Sequence, residues 1–200
     1  MIFSTLETIA VVLGMMNIIL IIRRSIWNYP FGIAMVSCYA WIFYGAKLYS
    51  DALLQLFFFV VQIYGWWVWS RAASDAEDHK IPVLQLNKVN QLAVLGGCLI
   101  LTLGWGTMMA RMTDAHYPYW DGAIAMISVV AQLLLARRYV ENWVLWIIVD
   151  ILAVGLYWTK ALHLTAILYG LFLLLAIVGL IQWWKIHRAQ RPQEESEAFR

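Results

Sequence analysis

The sequence predicts an all-α polytopic membrane protein with seven transmembrane helices arranged as a 3+1+3 parallel repeat. Three observations carry that prediction. Hydrophobic residues make up 63% of the 200-residue chain and charged ones 13%, against about 45–50% and about 25% in a soluble domain. Seven apolar stretches, approximately 3–22, 29–48, 51–70, 90–110, 119–137, 142–160 and 162–184, have the length of about 20 residues that a bilayer-spanning helix needs. Residues 20–70 also recur, without a gap, 114 positions further along. The loops are too short for a separate soluble domain, and a formal charge of +2 is too small to point to nucleic acid.

The first segment has no Lys or Arg before its apolar run, so it reads as a retained helix and not as a cleaved signal peptide. It ends at Arg23-Arg24. The second follows Asn28-Tyr29-Pro30, with proline suited to a first helical turn. The third places Gln55 and Gln62 on one face, seven residues apart. The stretch 71–89, with Asp75, Glu77, Asp78, His79, Lys80 and Pro82, reads as a solvated connector. The fourth segment carries Gly96, Gly97, Gly104 and Gly106, and small residues allow close helix approach in membranes. The fifth opens at Tyr119-Trp120-Asp121 and sets Asp121, Ser128 and Gln132 on one face. The sixth sets Trp143, Trp146 and Asp150 at i, i+3 and i+7, again on one face. The seventh holds Tyr169, Gly170 and Gly179 and ends at Trp183-Trp184. Lys185 to Arg200 alternates in charge and is expected to be partly disordered. Cys38 and Cys98 sit in apolar segments, with no disulfide or metal spacing.

In the repeat, Arg23-Arg24 falls on Arg137-Arg138, Asn28 on Asn142, Leu48 on Leu162, Ala52 on Ala166 and Leu54 on Leu168. Gly65 falls on Gly179 and Trp69 on Trp183. Three helices reverse the direction of the chain, so a fourth must restore it before the second triplet begins. The expected domains are therefore a first triple-helix bundle (1–71), a connector with linker helix (72–112), a second triple-helix bundle (113–185) and a cytoplasmic tail (186–200). Internal repeats of this kind mark transporters, with substrate near the midplane between the repeats. Lys47, Arg111 and Lys160 lie on the N-terminal side of the membrane, and the remaining Lys and Arg lie on the other. The positive-inside rule then puts the N-terminus outside and the C-terminus in the cytoplasm.

Asp150 is the costliest residue in the chain. An Asp at the centre of a membrane helix costs about 2.5–3.5 kcal/mol, which makes it a candidate functional residue. Beside two tryptophans it would suit a flat, cationic, aromatic ligand. The alternative is that it pairs with a polar group in the bundle core while the tryptophans pack. Asn17, Gln55, Gln62, Ser128 and Gln132 are the polar groups that could converge with it. Asn17 and Ser128 are of the kind that more often joins helix to helix, Gln55 could face the interface, and Trp120 could be an interfacial aromatic. Asp121 could simply favour the helix dipole. His79, His116, His163 and His187 fall in loops or the tail, so no metal or catalytic role is expected. There is no deep Ser/His pair, no H-E-x-x-H and no phosphate-cradling glycine loop. The polar set looks like recognition, not bond breaking, and no enzyme activity or cofactor is expected.

Leu53-Leu54-Gln55-Leu56-Phe57-Phe58 with Tyr64-Gly65-Trp66, then Tyr119-Trp120-Asp121, then Glu141-Asn142-Trp143 with Trp146 and Asp150 resemble the PnuC family of vitamin transporters. The family's W-x-x-W-x-x-x-N/D pattern is matched by Trp143, Trp146 and Asp150, and the resemblance spans about residues 5 to 185. It implies a SWEET-like 3+1+3 architecture in a bacterial inner membrane, and uptake of nicotinamide riboside by facilitated diffusion driven by a cytoplasmic kinase. Homotrimers occur in the family, and some members carry an extra N-terminal helix that is not expected here. Close relatives carry thiamine or riboflavin, so thiamine or a related vitamin is the alternative substrate, and proton-coupled transport through Asp150 is a further alternative. The expected substrate-binding residues are Trp143, Trp146, Asp150, Gln55, Gln62, Gln132, Asn17 and Trp120. Trp143, Trp146 and Asp150 align with Tyr29, Gly32 and Val36 of the first repeat, so the two halves diverge at those positions.

Overall fold

The computed structural model describes residues 2–45, 49–75, 81–113 and 116–198. Among the described residues seven helices run in chain order: α1 (Ile2–Ile22), α2 (Asn28–Gly45), α3 (Tyr49–Asp75), α4 (Lys88–Met112), α5 (Pro118–Ala136), α6 (Glu141–Thr159) and α7 (His163–Ala198). Among the described residues there is no strand, and Leu84 and Tyr139 form an isolated parallel bridge. Six of these helices are long and apolar enough to cross a membrane. The exception is α2, which at 18 residues carries Asn28, Tyr29, Pro30, Ser37 and further tyrosines. Lys47, Leu48, Glu77, Asp78, His79, Lys80 and Arg200, used above in the repeat, connector and charge arguments, lie outside the described residues.

The chain forms two compact units, Met1–Pro82 and Val83–Arg200. In the first, α2 packs against both α1 and α3. In the second, α4 packs on α5, α5 on α6, and α6 on α7. The two inner helices of the second unit are the most buried. α4 turns Val89, Leu92, Leu95, Leu99 and Ile100 outward, as a helix facing lipid on most sides does.

The turn after α1 and the turn after α5 are built alike. Arg24 and Arg138 both adopt left-handed backbone, with φ of 54° and 68°. Each heads a pair of closing hydrogen bonds: Arg24 N–H to Ile21 O and Ser25 N–H to Leu20 O, and Arg138 N–H to Leu135 O and Tyr139 N–H to Leu134 O. This is the Schellman ending, which satisfies carbonyls that a helix C-terminus leaves open. Each following helix then starts with a buried asparagine whose Nδ2 returns to the turn: Asn28 to Ser25 O at 2.7 Å, Asn142 to Tyr139 O at 2.6 Å. Further on, Tyr29 meets Trp69 edge-to-face at 5.4 Å and 88°, and Trp143 meets Trp183 at 5.6 Å and 85°. The paired arginines, asparagines, glycines and tryptophans found at the 114-residue offset thus recur in matching local geometry.

Two polar stretches depart from expectation. α7 does not give way to a disordered tail at Lys185 but continues as helix to Ala198. The connector is not simply solvated either. Ile81, Val83 and Leu86 are buried, and their backbone is held at several points. Arg24 donates to Ile81 O at 2.5 Å. Val83 N–H donates to Gln190 Oε1 at 3.1 Å, and His187 Nδ1 lies 3.2 Å from Val83 O. Leu84 exchanges hydrogen bonds with Arg138 O and Val140 N. Glu141, in the first turn of α6, accepts from Leu86 N–H and from Gln91 Nε2 at 3.0 and 2.9 Å. Buried backbone must find partners, and here the turns after α1 and α5, the start of α6 and the end of α7 supply them. Asn87 then caps α4, its side chain accepting from Asn90 N–H at 2.8 Å.

Candidate functional site

In the second unit, the face of α6 that begins at Trp143 is the centre of interest. Asp150 is 5% exposed, and among the described residues no side chain or backbone group hydrogen-bonds or ion-pairs with it. The protein therefore does not compensate its charge as a core ion pair would. Gln132 on α5 is also buried and likewise lacks a hydrogen-bond partner among the described residues. Most buried side-chain polar groups in proteins are paired; the polar atoms of these two side chains are not sealed from solvent, so a ligand can reach them. Ser128 is different, since its hydroxyl donates to Ile124 O at 2.7 Å and is spent within its own helix.

The two tryptophans of α6 are in different situations. Trp143 is 3% exposed. Its ring lies against Gly179 of α7, where a Cβ would stand 2.6–2.7 Å from Cη2, Cδ2 and Cε2 of the indole. Trp183 closes on the same ring edge-to-face. Tyr29, Gly65 and Trp69 form the same arrangement in the first unit, a Cβ on Gly65 falling 2.7 Å from the Tyr29 ring. Trp143 is therefore covered by α7 and offers no free ring face in this conformation. Trp146 is half-buried and packs beside the cluster of Leu86, Cys98, Ala131, Leu134 and Leu145.

Trp120, in the first turn of α5, lies against Gly155 of α6, and its indole N–H donates to Leu152 O at 2.9 Å. Its neighbour Asp121 pairs with Lys160 at 3.0 Å, across the end of the same helix pair. Asp121 thus does more than favour a helix dipole.

In the first unit, Asn17 and Gln62 are buried and converge on Gly32. Asn17 Nδ2 donates to Asn28 O at 2.7 Å. Gln62 has no hydrogen-bond partner among the described residues. Gln55 is half-buried and lines a groove of about 430 Å³ with Val36, Ser37, Trp41, Tyr44 and Phe59. The structure thus groups Trp143, Trp146, Asp150 and Gln132 with α5–α6, seats Trp120 near the other end of that pair, and groups Asn17 with Gln62. Sequence reasoning missed Gly32, Gly155 and the covering of Trp143. Their signal is the absence of a side chain, which becomes legible only once it is known which helix lies opposite.

The family model for nicotinamide mononucleotide transporters matches residues 4–185. The chain is 31% identical to the nicotinamide riboside transporter PnuC of Escherichia coli (strain K12), over 90% of this chain and 85% of that protein. It is 31% identical to the protein of the same name from Neisseria mucosa, over 95% of this chain and 76% of that one. It is 26% identical to the riboflavin/roseoflavin transporter RibM of Streptomyces davaonensis, over 90% and 85%. Among solved structures, that of the vitamin B3 transporter PnuC superposes with a TM-score of 0.74 at 29% identity, covering 93% of this chain and 83% of the other.

Proposed function

We propose that this chain, which belongs to the nicotinamide mononucleotide transporter family, takes up nicotinamide riboside across a bacterial inner membrane. The observation that supports this reading is Asp150, a 5% exposed carboxylate with no protein partner among the described residues. Nicotinamide riboside carries a permanent pyridinium charge and a ribose, and a desolvated carboxylate serves both as counter-charge and as acceptor. Trp146 walls the ring, while Gln132 and Gln62 supply amide donors and acceptors to the ribose or carboxamide. Gln55, Asn17 and Trp120 complete the set. Trp143 holds α6 in place against α7.

Transport on this reading is facilitated diffusion by alternating access through a 3+1+3 repeat, with phosphorylation by a cytoplasmic kinase removing the product. The N-terminus lies outside and the C-terminus in the cytoplasm, the protomers associate as homotrimers, and no bond is made or broken by the protein itself. The test is uptake of labelled nicotinamide riboside by cells expressing the chain with the kinase present. Asp150→Ala and Trp146→Ala are each expected to abolish it, and normal uptake by both would remove the site. A second reading has support in the similarity to a protein named for riboflavin, and thiamine, another aromatic cation, satisfies the same acid. Calorimetry with the three vitamins on purified protein separates them, because only the cognate one binds in the micromolar range or tighter.

A further inference from the structure

Gly32 lies on α2 with its Cα buried beneath two amide side chains. A Cβ there would overlap Gln62 Nε2 and stand 2.9 Å from Gln62 Cδ and 2.8 Å from Asn17 Nδ2. The 114-residue repeat puts Trp146 at the equivalent position of the second unit. The repeat mates of Asn17 and Gln62 are Ala131 and Ala176, both buried at 0% and 3% exposure. The three positions therefore exchange volume as a set. One unit carries glycine with two long amides, and the other carries an indole with two methyl groups. Interiors are packed to near-crystalline density, so a side chain lost at one position must be replaced by its neighbours. In the first unit the replacement is polar.

The two amides are not equivalent. Asn17 is committed to Asn28 O. Gln62 has no hydrogen-bond partner among the described residues while being 3% exposed. Its carboxamide can both donate and accept, which matches a ligand carboxamide or a ribose hydroxyl. We infer that Gly32 is a positioning residue for substrate recognition: by leaving its Cβ site empty it lets the Gln62 carboxamide lie where it meets the substrate. This rests on the assignment of Gln62 to the substrate made above.

A methyl group would meet both amides, but Gln62 Nε2 is overlapped and is the far end of a flexible side chain, whereas Asn17 Nδ2, at 2.8 Å, needs only a small shift, so Gly32→Ala should move chiefly the Gln62 amide without unfolding the bundle. Binding of nicotinamide riboside to the purified, full-length protein is measured by calorimetry, and melting is followed in the same samples. Gly32→Ala is expected to melt within a few degrees of wild type and to bind about tenfold more weakly, the scale of one well-placed hydrogen bond. In a Gln62→Ala background, adding Gly32→Ala is expected to change affinity by less than about twofold, because coupled positions are not additive. Wild-type affinity in Gly32→Ala, or a full additional loss in the Gln62→Ala background, overturns the inference. Should Gly32→Ala fail to fold, Gln62→Asn withdraws the amide by one methylene and is expected to give the same loss, and wild-type affinity there overturns it equally. If Asp150→Ala and Trp146→Ala lose binding while Gly32→Ala does not, only this inference falls. If wild type binds riboflavin or thiamine in place of nicotinamide riboside, the substrate reading falls and the same cycle is read with that vitamin.

Discussion

Gly179→Ala is expected to destabilise the second unit far more than its single added methyl suggests. The new Cβ would stand 2.6–2.7 Å from three atoms of the Trp143 ring, whereas carbon atoms settle at about 3.5–4.0 Å. The indole must therefore withdraw by about 1 Å. It has no room to do so, because Trp183, itself 1% exposed, holds it edge-to-face at 5.6 Å. Overpacking of this kind costs about 1–3 kcal/mol, and loosening the aromatic pair adds about 0.5–1.5 kcal/mol. A combined loss of about 2–4 kcal/mol corresponds to a fall in Tm on the order of 5–15 °C for a chain of this size. Intrinsic tryptophan fluorescence of detergent-solubilised protein during heating reads this directly. Gly65→Ala, against the Tyr29 ring in the first unit, is expected to behave similarly. Gly96→Ala and Gly97→Ala on α4, where a Cβ meets nothing within 4 Å, should leave melting unchanged. If Gly179→Ala melts with the wild type, the glycine–indole contact does not hold α6 to α7 and the packing argument for Trp143 fails.

Trp143→Tyr installs the residue type that the first unit uses at this position. It is expected to keep nicotinamide riboside affinity within about threefold, whereas Trp143→Ala loses about 3–5 kcal/mol of stability; an equal loss of affinity in a well-folded Trp143→Tyr would place the ring against the substrate instead. Asp121→Asn breaks an ion pair whose side chains are 32% and 44% exposed, so melting should move by an amount equivalent to less than about 1 kcal/mol, and a larger shift would show that the pair is shielded from solvent. The double variant His187→Ala with Gln190→Ala frees the backbone of Val83. Tryptic cleavage at Lys88 should accelerate several-fold, in line with local opening, and an unchanged rate would mean that other contacts hold the connector.

The helices were legible because all but α2 contain one long apolar run, and α2 is marked by Pro30 in its first turn. The ends of α3 and α7 were not, because both continue past the last hydrophobic residues into polar sequence that helical hydrogen bonding still sustains. The repeat was legible from Arg-Arg, Asn, Gly and Trp, and each of these does something local that apolar filler does not. The arginines occupy the left-handed turn, the asparagines bind the turn carbonyl, and the glycines lie under a ring. Asp150, Gln62 and Gln132 were legible as polar residues in costly places. What a helical spacing does not reveal is which neighbouring helix a face meets. Trp143 and Trp146 look equivalent at i and i+3, and only Gly179, well along the chain, tells the covered ring from the other. Gly32 left less trace, being an absence filled by residues from two other helices. The connector's packing was not legible because Ile81, Val83 and Leu86 belong to an apolar run far too short to span a membrane, and their partners, Arg24, Glu141 and the end of α7, are distant in sequence.

That distance has a consequence for biosynthesis. Val83 waits for partners 104 and 107 residues further along, at His187 and Gln190, whereas Arg24 is already made when Ile81 emerges. During translation the first unit is complete, with Ile81 tied to Arg24, while Val83 is still bound only to water. A chain interrupted before His187 would hold six of its helices and much of the seventh, with its strap still tied at Leu84 and Leu86, yet it would leave the backbone of Val83 without its two partners and open to cellular proteases. C-terminal deletions should accordingly be recognised by cleavage near residue 83, far from the lesion itself.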